Sequence, residues 1–352
     1  QGDGFRVLDL GNICLENKSF DIARNCFNYI ISLGSDNQYF IEGQKLLLNS
    51  RFIELTTNRA YNQNEIDATL VDYSSVLARL GKTKFTIGIL NEQAHILAFY
   101  ADRAAEAIVI LQDAILVQSL TDIQRAQLKM QLADIEVLKG DIWEASLLYM
   151  QIDKDFKFEA IGGEAKYKNA RIFYFDGEFD FAQSQLNILK ESTSKIIAND
   201  AMNLSVSITE NFGLDSNYTA MTWFSSAELL IEQHKYLEAF TLFDSIQLNY
   251  PLHSLADDIL YRKAKAMEMQ GKWAESCMLY EDILKFYSKD IFADDALFRL
   301  GDIYEQILLD KDKALEYYKK LAIDYKGSFY GAEIIKRIRI LRGDKNVEED
   351  IY

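Results

Sequence analysis

The chain has 352 residues, 49% of them hydrophobic, and 54 carboxylates against 38 lysines and arginines leave it a formal net charge of −16. Affinity for nucleic acid comes largely from phosphate neutralisation, so this balance argues against a nucleic-acid partner. A single proline and long apolar runs of 3.6-residue period point to an almost wholly helical protein, and no apolar stretch reaches the ~18 residues that a transmembrane helix needs.

In chain order, a helical pattern carried by Phe5, Leu8, Leu10 and Ile13 is under way soon after Gln1. No targeting signal is readable there, and further repeats are expected upstream. Cys14 and Cys26 lie on the two helices of one predicted unit. Small buried core residues are the simple reading of all three cysteines, Cys277 included, with a Cys14–Cys26 disulfide as the alternative. The stretch from Gln38 to Leu80 reads as helical without a clear register.

A pattern becomes plain from Ala133. Steps of 3, 7, 9, 12 and 16 residues give Glu136, Gly140, Ile142, Ala145 and Tyr149. From Ala170 the same steps give Phe173, Gly177, Phe179, Ala182 and Leu186. From Ala227 they give Leu230, His234, Tyr236, Ala239 and Phe243, and from Ala264 they give Met267, Gly271, Trp273, Ser276 and Tyr280. Two small residues twelve apart let antiparallel helices approach closely, glycine punctuates the turn, and the bulky residue fills the gap between pairs. The links repeat as well: Leu255-Ala256-Asp257-Asp258-Ile259-Leu260-Tyr261-Arg262 returns 37 residues later as Phe292-Ala293-Asp294-Asp295-Ala296-Leu297-Phe298-Arg299. Such a period marks stacked helix pairs, each packing on its neighbours.

The spacing breaks once, between Ala170 and Ala227, by one period plus 20 residues. Ala201, Leu204, Ile208 and Phe212 predict an additional helix, with a loop over Gly213–Asn217 after it. The chain thereby divides into an N-terminal sub-array over 1–190, an extra helix and loop over 191–217, and a C-terminal sub-array over 218–352. The extra segment reads either as a tolerated insertion or as a hinge. A capping helix is predicted at about 330–342, with Ile334, Ile335, Ile338 and Leu341 on one face and Lys336, Arg337, Arg339 and Arg342 on the other. Glu348, Glu349 and Asp350 read as a solvated tail.

This register resembles that of the tetratricopeptide repeat family, most fully at Trp223, Ala227, Leu230, Tyr236, Ala239, Phe243 and Pro251. Gly301, Tyr304, Ala314 and Tyr318 make a further unit with one extra residue at Asp310–Asp312. Gly11, Phe20, Ala23 and Phe27 make the first, and His95, Ala98, Ala107 and Leu111 a weaker one. The longer period, and the link from Asn249 through Pro251 to Asp257, are similar to bacterial cell-envelope members; the tail Tyr330–Asp344 is similar to long repeat proteins of Bacteroidota. The resemblance implies an all-α right-handed superhelical solenoid of about eight helix pairs. It implies a non-enzymatic scaffold binding a protein or peptide on its concave face, within a bacterial envelope assembly. A periplasmic or outer-membrane-associated location follows, with association to a membrane protein complex. A cytoplasmic adaptor of the same fold, or the repeat part of a larger protein, is the alternative.

Chemistry-bearing constellations are absent. His95, His234 and His253 lack metal-site spacing, and no nucleophile elbow, phosphate loop or dinucleotide fingerprint occurs. Asp153, Asp155 and Glu159 lack the glycine and ligand order of a calcium loop. The pairs Asp257/Asp258 and Asp294/Asp295 read as carboxylates preceding and capping helices. No catalytic, cofactor-binding or metal-binding residue is expected.

In the family, the first helix of each pair lines the concave face. Carried onto this register, the rule marks as partner-binding Met130; Tyr167, Arg171 and Tyr174; Phe224 and Glu228; Asp258, Tyr261 and Glu268; and Asp295, Phe298, Asp302 and Glu305. Read as a ladder of aromatics edged by carboxylates, they suit a segment with apolar anchors and basic residues between them. Packing of the same rings against the adjacent repeat is the other reading. Members that clamp acidic chaperone tails carry Lys, Asn and Arg at these positions, so that ligand is not expected here.

Overall fold

The computed structural model describes residues 3–57, 62–191, 194–212 and 218–344. The expected loop at Gly213–Asn217 and the acidic tail at Glu348–Asp350 lie outside the described residues. Among the described residues there are eighteen α-helices and no strand. Eight consecutive pairs account for sixteen of them: α1 (Asp3–Glu16) with α2 (Phe20–Ser32), α3 (Phe40–Thr57) with α4 (Gln63–Leu80), α5 (Ile87–Phe99) with α6 (Ala104–Ile115), and α7 (Asp122–Lys139) with α8 (Ile142–Asp155). The series passes through α9 (Ala160–Phe175) with α10 (Phe179–Leu189), then α12 (Tyr218–Glu232) with α13 (Tyr236–Asn249), α14 (Ala256–Met269) with α15 (Trp273–Phe286), and α16 (Ala293–Gln306) with α17 (Lys311–Asp324). Helices α11 (Lys195–Phe212) and α18 (Gly331–Arg342) stand outside the pairing. The all-α architecture of helix pairs is therefore as the register requires.

Seven of the eight pairs are closed by the same backbone device. Seven residues beyond the register point the chain takes a left-handed conformation, at Lys18, Asp102, Gly140, Gly177, His234 and Gly271, and at Leu309 where the turn is one residue longer. Glycine enters this region without steric cost, while Lys18, Asp102, His234 and Leu309 adopt it with their side chains exposed. Helix starts are fixed locally where the sequence allows. Asn62 with Glu65, and Thr121 with Gln124, form reciprocal capping boxes.

Within a pair the register residue is buried against the second helix. Ala133, Ala170, Ala227 and Ala264 are fully buried, as are Tyr149, Leu186, Phe243 and Tyr280 sixteen positions on, to within 2%. At Gly301 and Gly11 the approach is closer still: a Cβ there would lie 2.3 Å from Cε1 of Tyr318 and 2.5 Å from Cε1 of Phe27. The three cysteines are free thiols, Cys26 and Cys277 buried and Cys14 partly so, which fits their reading as small core residues.

The chain forms two compact units. One comprises Gln1–Val206 and Glu232–His234, the other Ser207–Ile231 and Lys235–Tyr352. In the first, an apolar cluster runs from Leu48 through Tyr73, Leu90, Ile96 and Leu111 to Ile135. In the second, Tyr280, Ile283, Leu300 and Ile303 form one cluster, and Leu297, Tyr318, Leu321 and Ile334 form the next, sealed by α18.

Replacing Gly301 with Ala is expected to destabilise the second unit by about 1–3 kcal/mol, because the Tyr318 ring must move from a filled site. Gly327, with open space at its Cβ position, is the control. Denaturant unfolding of both variants checks this, and equal midpoints would refute the close approach.

Candidate partner-binding surface

In the first unit, three of the candidate residues meet in one groove. Met130, Tyr167 and Arg171 line a cavity of about 1090 Å³ walled by α5, α7, α9 and the start of α11. Ile123, Ile161, Ile196 and Ile197 supply further apolar surface, while Glu159, Glu164 and Asp200 bring carboxylates to the same lining. Of its two cations, Lys168 is held between Asp134 at 2.8 Å and Glu164 at 3.3 Å, and the Arg171 guanidinium lies 5.0 Å from the Phe175 ring centre. Tyr174 is not part of the groove. It is buried beside Phe175 and Phe179, with ring centres 5.7 and 5.8 Å away.

In the second unit the marked aromatics meet other rings. Phe224 is fully buried against Phe243 at 5.5 Å. Tyr261 stacks on Phe292 at 4.5 Å and 15°, and Phe298 on Tyr330 at 4.0 Å and 9°. Phe292 and Tyr330 are the residues just ahead of α16 and α18, so each ring is covered by the element that opens the next repeat.

Four of the six marked carboxylates are engaged too, by cations the concave-face rule does not single out. Glu228 pairs with Nε of Arg262 at 2.6 Å. Glu268 accepts from Arg299 at 2.5 and 3.2 Å, and Arg299 also reaches Asp302 at 2.9 Å. Arg337 donates to Asp302 at 2.8 Å and Glu305 at 3.2 Å. With Lys168 on Asp134 in the first unit, the arrangement recurs four times, a cation of one repeat reaching back to a carboxylate of the one before. The signal is present in the sequence: Lys168, Arg262 and Arg299 each stand two residues ahead of the small register residue.

A tyrosine of the second helix completes three of these pairs. Tyr149 donates to Asp134 at 2.6 Å, Tyr280 to Glu268 at 2.6 Å, and Tyr318 to Glu305 at 2.8 Å. Burial pushes the Glu268 carboxyl up, but the bonds from Arg299 and Tyr280 and the Lys265 charge outweigh it and hold the group below its usual range. Burial likewise opposes the Arg337 charge, and Glu333 and Asp302 raise it above its ordinary value. These are charge-assisted bonds in partly dry surroundings, stronger than exposed surface pairs.

The paired aspartates depart from the capping expectation. Helices α14 and α16 begin at Ala256 and Ala293, so both pairs lie inside the first turn, and the cap residues Leu255 and Phe292 make no side-chain cap. Asp294 still accepts a backbone N–H, that of Asp295, at 3.0 Å. Asp257 and Asp258 are both buried, and the second residue of each pair meets a side chain of another helix or link. Asp295 accepts the Tyr330 hydroxyl, and Asp258 is 4% exposed with Nδ2 of Asn211 3.4 Å from its Oδ2. Oδ1 of Asp258 has no hydrogen-bond partner among the described residues. Burial, and then the neighbouring Asp257 charge, push the Asp258 carboxyl up to about 7, against the pull of Arg262. Among the described residues no group of three or more His, Cys, Asp or Glu is placed to hold a metal ion, and no helix is long and apolar enough to cross a membrane.

Asp258 gives the second unit a distinctive pH response. Its folded pKa lies above the ordinary value of 3.8, so between about pH 4 and 7 the native state keeps a proton that the unfolded chain has lost. Stability from this group is greatest below pH 4 and falls as pH rises towards 7. Thermal melting of the Asp258→Asn variant is expected to show a flatter profile over that window; an unchanged slope would exclude the effect.

The profile of the tetratricopeptide repeat matches residues 258–290 and 295–328. No curated protein matches the chain. Among solved structures it is similar to a tetratricopeptide repeat protein from Parabacteroides merdae, at 12% identity over 97% of this chain and 100% of that one, with a TM-score of 0.30. It is also similar to the TPR domain of P58(IPK), at 16% identity over 98% and 100% of the two chains with a TM-score of 0.29. Human IFIT1, solved as a dimer with m7Gppp-AAAA, is similar at 14% identity over 93% of this chain and 69% of that one, with a TM-score of 0.37. The matched residues are tetratricopeptide repeats, and seven of the eight helix pairs carry the same register, so the chain is one that contains tetratricopeptide repeats.

Proposed function

We propose that the chain is a non-catalytic scaffold for protein–protein interaction, and that the groove of the first unit holds a protein segment with apolar anchors and basic residues between them. The observation that carries the reading is the groove itself, about 1090 Å³ of space between the first helices of successive pairs, where isoleucines, Met130 and Tyr167 adjoin Glu159, Glu164 and Asp200. An apolar groove between helices suits an extended or helical segment, and rim carboxylates speed encounter with a basic one. A net charge of −16 works in the same direction over longer range. In the second unit four of the six marked carboxylates are paired with cations of the chain itself, which leaves the first unit as the better candidate. The long repeat period supports a place in a bacterial envelope assembly, with a periplasmic or outer-membrane-associated protein as the partner.

The test is affinity capture from the source organism at low and high salt, with the parent chain and with Tyr167→Ala/Ile196→Ser. Ile196 is 75% exposed and Tyr167 half-buried, so the double variant should keep its melting temperature. Binding of the captured partner is expected to fall about tenfold, or ~1.4 kcal/mol, and to weaken with salt. Undiminished binding by the variant would remove the groove from the reading.

A further inference from the structure

The second helix of a pair buries one face and ordinarily shows solvent a polar one. Helix α8 buries Ala145, Ser146, Tyr149 and Ile152. Its opposite face carries Trp143, Leu147 and Met150, which are 49%, 50% and 43% exposed. Spacings of four and three residues place these three in a single stripe. Helix α10 repeats the arrangement with Phe181 and Ile188, 45% and 59% exposed. The two stripes are bridged at one end by Phe173 of α9, whose ring lies 5.6 Å from Trp143, edge to face, and 4.2 Å from Phe181. Soluble proteins scatter exposed apolar residues singly; a bridged pair of stripes marks an interaction surface.

The charges around the bridge say what covers it. Glu144, Asp176, Glu178 and Asp180 lie within five residues of Trp143 or Phe181 along the chain, and all are exposed. None has an ion-pair partner among the described residues, and Lys139, the nearest cation in sequence to Trp143, is taken by Glu136 and Asp141. We propose that this outer face of α8 and α10 is a second docking surface, distinct from the groove, and that its occupant is an amphipathic helix of another protein with lysine or arginine along its margin. The apolar side of that helix covers Leu147, Met150 and Ile188. Its marginal cation meets the carboxylates and the exposed ring face of Trp143, where charge and ring quadrupole act together.

The probe is a labelled synthetic helical peptide of about 18 residues, leucine on one face and lysine on the other, followed by fluorescence anisotropy with the full chain. A leucine–glutamate peptide of the same pattern is the comparison. Binding of the leucine–lysine peptide is expected to drop about tenfold in Leu147→Ser/Met150→Ser and to persist in the groove variant Ile196→Ser. Both substitutions preserve net charge, so the drop separates docking from general attraction to an acidic protein. Circular dichroism melts at the parent temperature exclude unfolding as its cause. Parent-like affinity in the double serine variant, or equal affinity for the glutamate peptide, overturns the proposal.

Discussion

The separation of the two helices in a pair is fixed by a lack of volume at one position. Ala133, Ala170, Ala227, Ala264 and Gly301 present little or nothing beyond the backbone, and a large side chain of the second helix occupies the space this leaves. Interiors are packed to the density of organic crystals, so a single added methyl there has no room. The left-handed residue of the turn brings the second helix back at the angle this contact requires. Everything further out, the groove included, inherits its geometry from that approach.

A second consequence runs from size to charge. Where the large residue is tyrosine, its hydroxyl enters the interior with the ring and must be bonded. A carboxylate on the first helix accepts it, at Asp134, Glu268 and Glu305. Partly burying a carboxylate in turn calls for a cation, which the following repeat supplies through Lys168, Arg299 and Arg337. Packing within a pair is thereby tied to electrostatics between pairs. It also explains why an acidic chain leaves so little of its inner negative charge open in the second unit.

Much of this was legible in the sequence, and what was not has a physical reason. Side-chain size at fixed spacing is visible residue by residue, so the small register positions, the turn glycines and the helix pairs from Ala133 onward stand out. The ion pairs are harder, because each joins positions 31 to 35 residues apart and neither half is diagnostic alone. The fifth-position aromatics share one periodicity but not one role. Tyr167 lines open space, whereas Tyr261 and Phe298 are capped by Phe292 and Tyr330, and only the residue that opens the next repeat decides between these outcomes. Asp258 carries the signature of a helix cap and is buried instead, since its neighbours, not its own position in the helix, determine its solvation. The stretch now seen as α3 and α4 lacks the small–glycine–small spacing altogether, which is why it shows helix but no register.

One link of the series is built differently. At position 243 the large residue is phenylalanine, so the ring packed there brings no hydroxyl to the pair of Glu228 and Arg262. In a row of repeats whose joints bear load in series, the mechanical strength of the whole is that of its least-braced joint. Drawn out from its ends, the second unit should part at the step between α13 and α14 and peel outward from there. A scaffold made this way has its breaking point, and with it the size of the first fragment released under tension, written by the absence of one oxygen atom.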